Sequence, residues 1–218
     1  MEVIAHIFND LDTKFGIPRQ SGVAPSLRGR KGFEKEYRVR EAFRGLEEFS
    51  HIWLLWDFSE AHKEKWSPTV RPPRLGGNQR MGVFATRSPF RPNNIGLSVV
   101  RLVAIDYEAA DGPALIVEGI DMMNMTPIYD IKPYLPYADA IADASAGFVA
   151  NSGDEMFAMD VELSDAVVGK LTEQQAIALR EILSNDPRPH YHSNAERIYK
   201  KKYAGIDISF RIEVRKGH

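Results

Sequence analysis

Short apolar segments, each interrupted by Gly, Pro or Asn after a few residues, fill the first two-thirds of the chain. Several short strands with no helical pattern between them are typical of a β-barrel or a β-sandwich and argue against a doubly wound sheet. The predicted strands lie at 3–8, 49–58, 81–86, 95–105, 114–120 and 128–131. The sequence contains neither GxGxxG nor GxxxxGK, the glycine motifs that hold phosphates in Rossmann and P-loop proteins. It therefore predicts a mainly β fold outside the Rossmann plan.

The last third of the chain has a different pattern. Residues 156–163 alternate between apolar and polar side chains, as a strand does. Thr172 and Gln175 form a capping box, which predicts a helix from there to about Ser184, and a regular alternation over 206–214 predicts a final strand. A stretch of small and acidic residues separates this part from the first. We therefore predict a β-rich domain at 1–140, a linker at 141–155 and a small α+β domain at 156–218.

The composition of the chain limits the cellular compartment and the kinds of active site that we expect. The 218 residues include no cysteine, so disulfide bridges and thiolate metal ligands are excluded. The sequence shows neither a secretory signal nor an apolar stretch of about 18 residues, so we expect a cytoplasmic protein without membrane contact. The histidines lack metal-site spacing and GxSxG is absent, so we expect neither a metal centre nor a serine hydrolase. His51 is interpreted as either a hydrogen-bonded core residue or a base.

Positive charge is concentrated between Lys65 and Ile105, a window without Asp or Glu in a chain whose net charge is -2. The basic residues of this window are Lys65, Arg71, Arg74, Arg80, Arg87, Arg91 and Arg101. Arginine presents a planar fork of donors that fits phosphate and carboxylate, and the prolines of the window restrict its loops. A second basic block follows at 197–216, and the two blocks form either one stripe or two solvated patches. We predict that the window binds an anionic ligand and is the functional centre.

Four strings of this sequence resemble one known family. They are KFGIPRQSG at 14–22, RMGVFATRSPFRPNNIGLS at 80–98, DIKPYLPYAD at 130–139 and DPRPHYH at 186–192. Together they resemble the TrmO/TsaA-like (YaeB-like) family of S-adenosylmethionine-dependent tRNA methyltransferases. The resemblance implies a small antiparallel β-barrel as the N-terminal domain, S-adenosylmethionine as cofactor, tRNA as partner, and a homodimer. The implied reaction is methylation of the 6-amino nitrogen of threonylcarbamoyl-adenosine, next to the anticodon.

The resemblance also implies which residues form the site. Cofactor contacts fall on Pro18, Arg19, Gln20, Phe58, Ser59, Arg87, Leu97, Asn124, Met125, Thr126 and Pro127. Contacts with the tRNA or its modified base fall on Asp186, Arg188 and Tyr191, and we add Arg71, Arg74 and Arg91 from the basic window. The segment 66–77, which carries Arg71 and Arg74, is either a linker or an RNA-facing loop, and we interpret it as the latter. Asn124-Met125 stands where the family commonly has Asp-Gly, and the missing glycine predicts a changed turn.

Methylation of a carbamoylated amine requires a group that removes a proton, because the nitrogen lone pair is delocalised. We assign Asp130 as this base, with Lys132, Tyr134 and Arg188 as polar or electrostatic helpers. Two other classes of function stay open from the residues alone: a non-catalytic RNA-binding β-barrel, and an enzyme that acts on a small anionic substrate. The first would not bind S-adenosylmethionine, and the second would be insensitive to tRNA.

Overall fold

The computed structural model describes residues 1–72, 79–150, 159–188 and 197–213. In these ranges the strands are β1 (Ala5–Asn9), β2 (Arg28–Phe33), β3 (His51–Asp57), β4 (Thr69–Val70), β5 (Met81–Gly82), β6 (Ile95–Asp106), β7 (Ala114–Glu118), β8 (Pro127–Pro133), β9 (Tyr199–Tyr203) and β10 (Ile206–Phe210). The α-helices are α1 (Pro136–Asp139), α2 (Asp165–Val168) and α3 (Glu173–Ser184). Short 3-10 helices occupy Lys35–Tyr37, Arg40–Phe43, Leu46–Glu48, Val83–Ala85 and Gly147–Val149. Over these described ranges, no helix has the length and apolar character needed to span a bilayer.

Six of the strands close into an antiparallel barrel in the order β1, β2, β7, β6, β3, β8. The ring is completed by β1, which pairs with β2 along its length and with β8 through Ala5 and Ile128. Alternate residues of β3 and β6 point inward, so Ile52, Leu54 and Val100 are buried in the barrel core. The prediction of a mainly β fold with a small antiparallel barrel is confirmed.

The six strands predicted in the first two-thirds are all found, although one is much shorter than predicted. The segment 81–86 is a strand only at Met81–Gly82 and continues as the 3-10 helix Val83–Ala85. Its pairing with β4 was not predicted, because Thr69–Val70 lies in the proline-rich segment that was interpreted as a loop.

Strand β2 was also missed, because its sequence RGRKGF shows no apolar alternation. Lys31 in this strand pairs in register with Ile7 and Leu115, both fully buried, and is itself fully buried. A lysine at a core position hides the pattern on which sequence-based assignment of strands depends.

Helix α3 begins at the predicted capping box and holds the C-terminal part against the barrel. Thr172 Oγ1 accepts a hydrogen bond from the Gln175 amide at 3.2 Å, and Gln175 Oε1 accepts one from the Thr172 amide at 3.0 Å. Leu179 packs into the same core cluster as the barrel residues. The Glu181 carboxylate accepts hydrogen bonds from the amide and the hydroxyl of Ser26, both at 2.8 Å. The helix is therefore fixed to the loop that leads into β2.

The hairpin of β9 and β10 packs beside this helix. Lys201 is buried, its Nζ donates to the Phe15 carbonyl at 2.7 Å, and burial lowers its pKa to about 8. Part of the second basic block is therefore interior and contributes nothing to a surface stripe. The predicted strand at 156–163 is wrong over its described part, 159–163, which forms no strand. The final strand ends at Phe210, earlier than predicted.

Candidate functional site

A cavity of about 580 Å³ lies at the end of the barrel where β3 stops and β6 begins. Its wall combines the ends of these strands with loop residues from 14–20, 57–61, 86–91 and 121–126. Small-molecule sites typically enclose roughly 300–1,000 Å³. The cavity is therefore of a size that suits one small-molecule ligand.

A chain of buried polar groups forms the floor of the cavity. Trp56 Nε1 donates a hydrogen bond to Ser98 Oγ at 2.9 Å, and Ser98 Oγ donates one to Asp121 Oδ1 at 2.6 Å. Since a hydroxyl can donate and accept at once, Ser98 fixes the indole and the carboxylate together. Phe58 packs against Trp56 with ring centroids 4.2 Å apart, and both rings face the cavity. The floor is therefore an aromatic surface with one carboxylate beside it.

Asp121 is the carboxylate of this floor, and its protonation is perturbed. Burial raises the pKa of Asp121 to about 6, although hydrogen bonds from Ser98 and the Ser21 amide and the charge of Arg87 act in the opposite direction. A desolvated carboxyl group favours its neutral form. Asp121 is therefore charged at neutral pH and becomes neutral as the pH falls through about 6. A perturbed acid in a cleft is a functional-site candidate.

Arginine side chains supply the positive part of the wall. Arg87 Nη1 donates to Gln20 Oε1, which ties two of the wall's loops together. Arg91 Nη1 donates to the Thr86 carbonyl at 2.8 Å and braces its own loop. Arg19 also lines the cavity. The wall thus offers fixed donors for a carboxylate or a phosphate.

One ion pair and one histidine–carboxylate hydrogen bond lie at the rim of the cavity. Lys14 Nζ lies 3.0 Å from Glu60 Oε2 and links two loops across the rim. Asp57, buried at the end of β3, accepts a hydrogen bond from His62 Nε2 at 2.8 Å. Burial and the hydrogen bond to Asp57 raise the pKa of the Tyr129 hydroxyl. The rim therefore carries acidic groups close to the arginines of the wall.

Strand β1 holds the turn that closes the cavity. Asn9 Nδ2 donates to the Met122 carbonyl, and the Asn9 amide donates to Asn124 Oδ1, both at 3.1 Å. Met125 has a φ of 66° and its amide donates to the Ile7 carbonyl at 2.7 Å. This left-handed conformation is the one that glycine adopts most readily. Met125 therefore occupies a glycine-like conformation at the position where the family commonly has glycine.

Most of the residues predicted to contact the cofactor line this one cavity. They are Pro18, Arg19, Gln20, Phe58, Ser59, Arg87, Leu97 and Thr126, together with Arg91 from the predicted substrate set. Asn124, Met125 and Pro127 belong to the closing turn and to β8 and do not line the cavity. Arg71 follows β4 and is exposed, whereas Arg74 and Tyr191 lie outside the described residues.

Asp130 and Lys132 lie on the outer face of the barrel beside the cavity. Asp130 pairs in register with Leu55, and Leu55 pairs with Leu97, so the three form one row across β8, β3 and β6. Two strand spacings put Asp130 about 10 Å from Leu97 along this row. Lys132 Nζ lies 3.3 Å from Asp130 Oδ2. The two residues are close to the cavity but are not part of its wall.

Tyr134 and Trp53 connect this row to the cavity. The Tyr134 ring lies 5.9 Å from the ring of Trp53, which lines the cavity. Trp53 Nε1 donates to Asp139 Oδ2 at 2.9 Å, which fixes the indole. His51 is half-buried, and its Nδ1 lies 2.9 Å from Ser50 Oγ, so it is not a core residue.

The turn after helix α3 approaches the cavity from the C-terminal part. Arg188 donates to both oxygens of the Asp186 carboxylate at 2.8 Å. Burial alone would raise the pKa of Asp186, yet the hydrogen bonds from Arg188 and the charges of Arg188 and Arg19 outweigh it and lower the pKa. Asn185 Nδ2 donates to the Val23 carbonyl at 3.3 Å. Arg19, whose charge acts on Asp186, belongs to the cavity wall, whereas Asp186 and Arg188 themselves do not line the cavity.

Several residues of the site received no role from the sequence. They are Trp53, Trp56, Asp57, Ser98 and Asp121. One signal was available, because a glycine in an apolar strand marks a close approach to its backbone, and Gly96 pairs with Trp56. The hydrogen bond from Ser98 to Asp121 joins two segments that are separated in the sequence, so no local sequence pattern predicts it.

The barrel and the cavity define a class of protein: an antiparallel barrel with a ligand-sized cavity at one end, whose wall carries both positive and negative side chains, in a sequence without a glycine-rich phosphate loop. The chain belongs to the tRNA-methyltransferase O family, since that family's N-terminal domain matches residues 6–140 and its C-terminal domain matches residues 157–217.

Similar proteins agree with this assignment. The tRNA (adenine(37)-N6)-methyltransferase of Escherichia coli K12 is 43% identical over 199 residues, which cover 89% of this chain and 84% of that protein. The protein of the same name from Eikenella corrodens is 42% identical, over 76% of this chain and 92% of its own. The crystal structure of TrmO from Pseudomonas aeruginosa superimposes with a TM-score of 0.74 at 34% identity and covers 97% of this chain and 92% of its own.

Proposed function

We propose that this protein transfers a methyl group from S-adenosylmethionine to the 6-amino nitrogen of threonylcarbamoyl-adenosine at position 37 of tRNA. Two relatives that share most of their length with this chain are named as tRNA (adenine(37)-N6)-methyltransferases. A Pseudomonas aeruginosa relative, 44% identical over 195 residues, is provisionally described as an S-adenosylmethionine-dependent methyltransferase. The observation that carries the proposal is the single cavity in which Arg19, Arg87 and Leu97 meet.

The cavity has the chemistry that S-adenosylmethionine requires. Its aromatic and aliphatic side chains, Trp56, Phe58 and Leu97, suit an adenine ring. Arg19 and Arg87 suit the carboxylate of the amino-acid part. The cofactor also carries positive charge on its sulfonium and ammonium groups. Among the described residues of the wall, the carboxylates available to face that charge are Asp57, Glu60 and Asp121.

The bound cofactor supplies an activated methyl carbon, so the protein aligns the acceptor nitrogen, excludes water and removes a proton. In our proposal the Asp130 carboxylate accepts the proton of the carbamoylated amine. The Lys132 ammonium holds that carboxylate by charge, and the Tyr134 hydroxyl donates a hydrogen bond to the substrate. The position of Asp130 in the row that leads to Leu97 supports this arrangement. General-base catalysis of this kind contributes roughly 10²–10⁴-fold to a rate.

In the same proposal, the tRNA binds across the rim of the cavity. Its phosphates contact Arg71, Arg74 and Arg91, and the modified base contacts Asp186, Arg188 and Tyr191. The charge of Arg19 on Asp186 supports this, because it links the C-terminal turn to the cavity. The small domain proposed at 156–218 would then help to bind the substrate that the barrel domain at 1–140 methylates.

Nucleoside analysis tests this proposal in the cell. Mass spectrometry of tRNA from cells that lack the protein should show loss of the methylated threonylcarbamoyl nucleoside and accumulation of its precursor. Calorimetric titration of the purified protein with S-adenosylmethionine should show binding at one site. An unchanged nucleoside profile contradicts the proposed reaction. Absence of cofactor binding with intact tRNA binding would favour a non-catalytic RNA-binding barrel.

A further inference from the structure

Two exposed aromatic side chains of the basic window stack on each other outside the cavity. The rings of Trp66 and Phe84 lie 6.2 Å apart between centroids, at an interplanar angle of 29°. Trp66 is 51% exposed and Phe84 is 73% exposed. Among the described residues, the other tryptophans, Trp53 and Trp56, lie in β3 and line the cavity. Two large aromatic rings that stack on each other and remain exposed to solvent are typical of a surface that binds a partner.

The short hairpin of β4 and β5 builds this pair. Val70 pairs with Met81, and the Val83 amide donates to the Pro68 carbonyl at 2.9 Å, so the pairing extends past the strands. Trp66 precedes Pro68 by two residues and Phe84 follows Val83 directly, so the two rings meet at the open end of the hairpin. We refer to Trp66 and Phe84 as the aromatic platform.

The segments that carry the aromatic platform are mainly basic, although Glu64 immediately precedes them. Lys65, Arg71 and Arg80 belong to the window without acidic residues, and in the described part of the chain none of them pairs with a carboxylate. Arg80 Nε donates to Thr69 Oγ1 at 2.9 Å, which holds its guanidinium beside the hairpin. Arg71 and Arg80 lie at the end of the hairpin opposite the rings. A planar aromatic surface on the same hairpin as arginines that have no carboxylate partner among the described residues complements an unpaired nucleotide, because the base stacks on the rings and the arginines contact phosphates.

The aromatic platform is also next to the cavity. Phe84 is followed two residues later by Thr86, which lines the cavity, so their α-carbons are at most about 7 Å apart. Phe90 lines the cavity as well and remains 42% exposed, with Lys63 Nζ 4.1 Å from its ring centre. Exposed aromatic side chains therefore occur both at the aromatic platform and at the cavity.

We propose that Trp66 and Phe84 form a stacking site for an unpaired base of the tRNA that neighbours the target nucleotide, with Arg71 and Arg80 on its phosphate. The inference rests on the proposed function for the identity of the RNA. It adds a contact that anchors the anticodon loop while the target base enters the cavity. A second copy of the chain would also cover apolar rings, but Arg71 and Arg80, which have no carboxylate partner among the described residues, favour a polyanion.

The test uses leucine variants of the full chain, because leucine keeps apolar surface and removes the ring plane. Trp66→Leu and Phe84→Leu are compared with Phe8→Leu, a 40% exposed phenylalanine on β1 outside the basic window. Binding of a fluorescein-labelled anticodon-arm RNA is measured by anisotropy at several salt concentrations. Each platform variant should weaken RNA binding about tenfold with an unchanged salt slope, since stacking and not charge is lost. Phe8→Leu should bind like the wild type.

Arginine variants separate charge from stacking. Arg71→Gln and Arg80→Gln should each reduce the salt slope by about one, in contrast to the leucine variants. All variants should keep the wild-type affinity for S-adenosylmethionine, which also shows that they are folded. Wild-type RNA affinity in Trp66→Leu and Phe84→Leu overturns the inference, as does equal weakening in Phe8→Leu.

The outcomes also separate this inference from the proposed function. If the wild type methylates tRNA while the leucine variants bind it normally, only the stacking site is refuted. If the wild type binds neither cofactor nor RNA, both are refuted. If Trp66→Leu changes the oligomeric state in light scattering and leaves RNA affinity unchanged, the aromatic platform is an interface between copies and the inference is wrong.

Discussion

Trp56 lies directly over the backbone of Gly96, so close that a β-carbon at position 96 would come within 2.2 Å of the indole ring. The two residues pair in register at the end of β3 and the beginning of β6. The indole cannot move away freely, because its Nε1 is hydrogen-bonded to Ser98 Oγ and the Phe58 ring packs against it at an interplanar angle of 57°. The missing side chain of Gly96 is therefore what gives the cavity its floor.

This contact predicts that Gly96→Ala destabilises the protein and damages the cavity. Overpacking of this kind costs roughly 1–3 kcal/mol. Displacement of Trp56 would also break its bond to Ser98 and weaken cofactor binding. The matched control is Gly82→Ala, because a β-carbon there meets no atom within 4 Å and the φ of -56° suits alanine. Thermal unfolding and calorimetry of the two variants check this, and equal behaviour would refute the role of Gly96.

A second prediction concerns the effect of pH on cofactor affinity, through the charge of Asp121. Because burial raises its pKa to about 6, Asp121 loses its charge as the pH falls through that value. If its carboxylate faces the positive groups of S-adenosylmethionine, cofactor affinity should be lower at pH 5 than at pH 7.5. Asp121→Asn should bind at the weak, low-pH level at both values. Titrations at the two pH values measure this, and a pH dependence that persists in Asp121→Asn would contradict it.

A third prediction separates Asp130 from Asp121. Asp130 lies outside the cavity wall, so Asp130→Asn should leave cofactor affinity close to that of the wild type. Loss of the base should lower the rate of methyl transfer by roughly 10²–10⁴-fold. Single-turnover kinetics measures this rate. Unchanged turnover would remove Asp130 from the role and leave the carboxylates of the cavity wall, Asp57, Glu60 and Asp121, to consider.

A fourth prediction concerns Lys31, whose Nζ is buried in the barrel with no hydrogen-bond partner among the described residues. Burial lowers its pKa well below the ordinary value of 10.5. Between the folded pKa and 10.5 the unfolded chain holds a proton that the folded chain lacks, so stability rises with pH there by about 1.4 kcal/mol per unit.

Replacing Lys31 with methionine should therefore stabilise the protein at neutral pH, on the order of 2 kcal/mol, because an uncompensated polar group leaves the core. The difference between Lys31→Met and the wild type should shrink as the pH rises toward 10.5. Urea unfolding at several pH values measures this. A Lys31→Met variant that is less stable than the wild type at pH 7 would show that the amine has a partner that offsets its burial.

The sequence predicted most of the barrel because most of its strands follow the alternation that a barrel wall imposes. It failed at β2, where Lys31 occupies a core position, and at 81–86, where the chain turns into a 3-10 helix after two residues. A strand is recognised in a sequence by apolar residues at every second position. Strand β2 lacks this alternation, and the segment 81–86 has apolar residues but is a strand over only two of its residues. The helix at Thr172 was predicted well, because its capping box is a local signal.

The residues of the site also fall into a predicted group and a group that was not predicted. Arg19, Arg87 and Leu97 were predicted from strings that resemble a family, and the structure brings them to one cavity. The floor was not predicted, because the contact between Ser98 and Asp121 joins segments 23 residues apart through tertiary packing alone. The distance of Asp130 from the cavity wall likewise depends on strand register, which no single segment specifies.

The most direct test of the central claim is reconstitution of the reaction. The purified protein is incubated with S-adenosylmethionine and with two forms of one tRNA, one carrying threonylcarbamoyl-adenosine at position 37 and one carrying unmodified adenosine. The tRNA is then digested to nucleosides, which are separated and identified by mass spectrometry. We predict that the threonylcarbamoyl nucleoside gains one methyl group, and that unmodified adenosine gains none. Methylation of unmodified adenosine, or of neither form, would contradict the account.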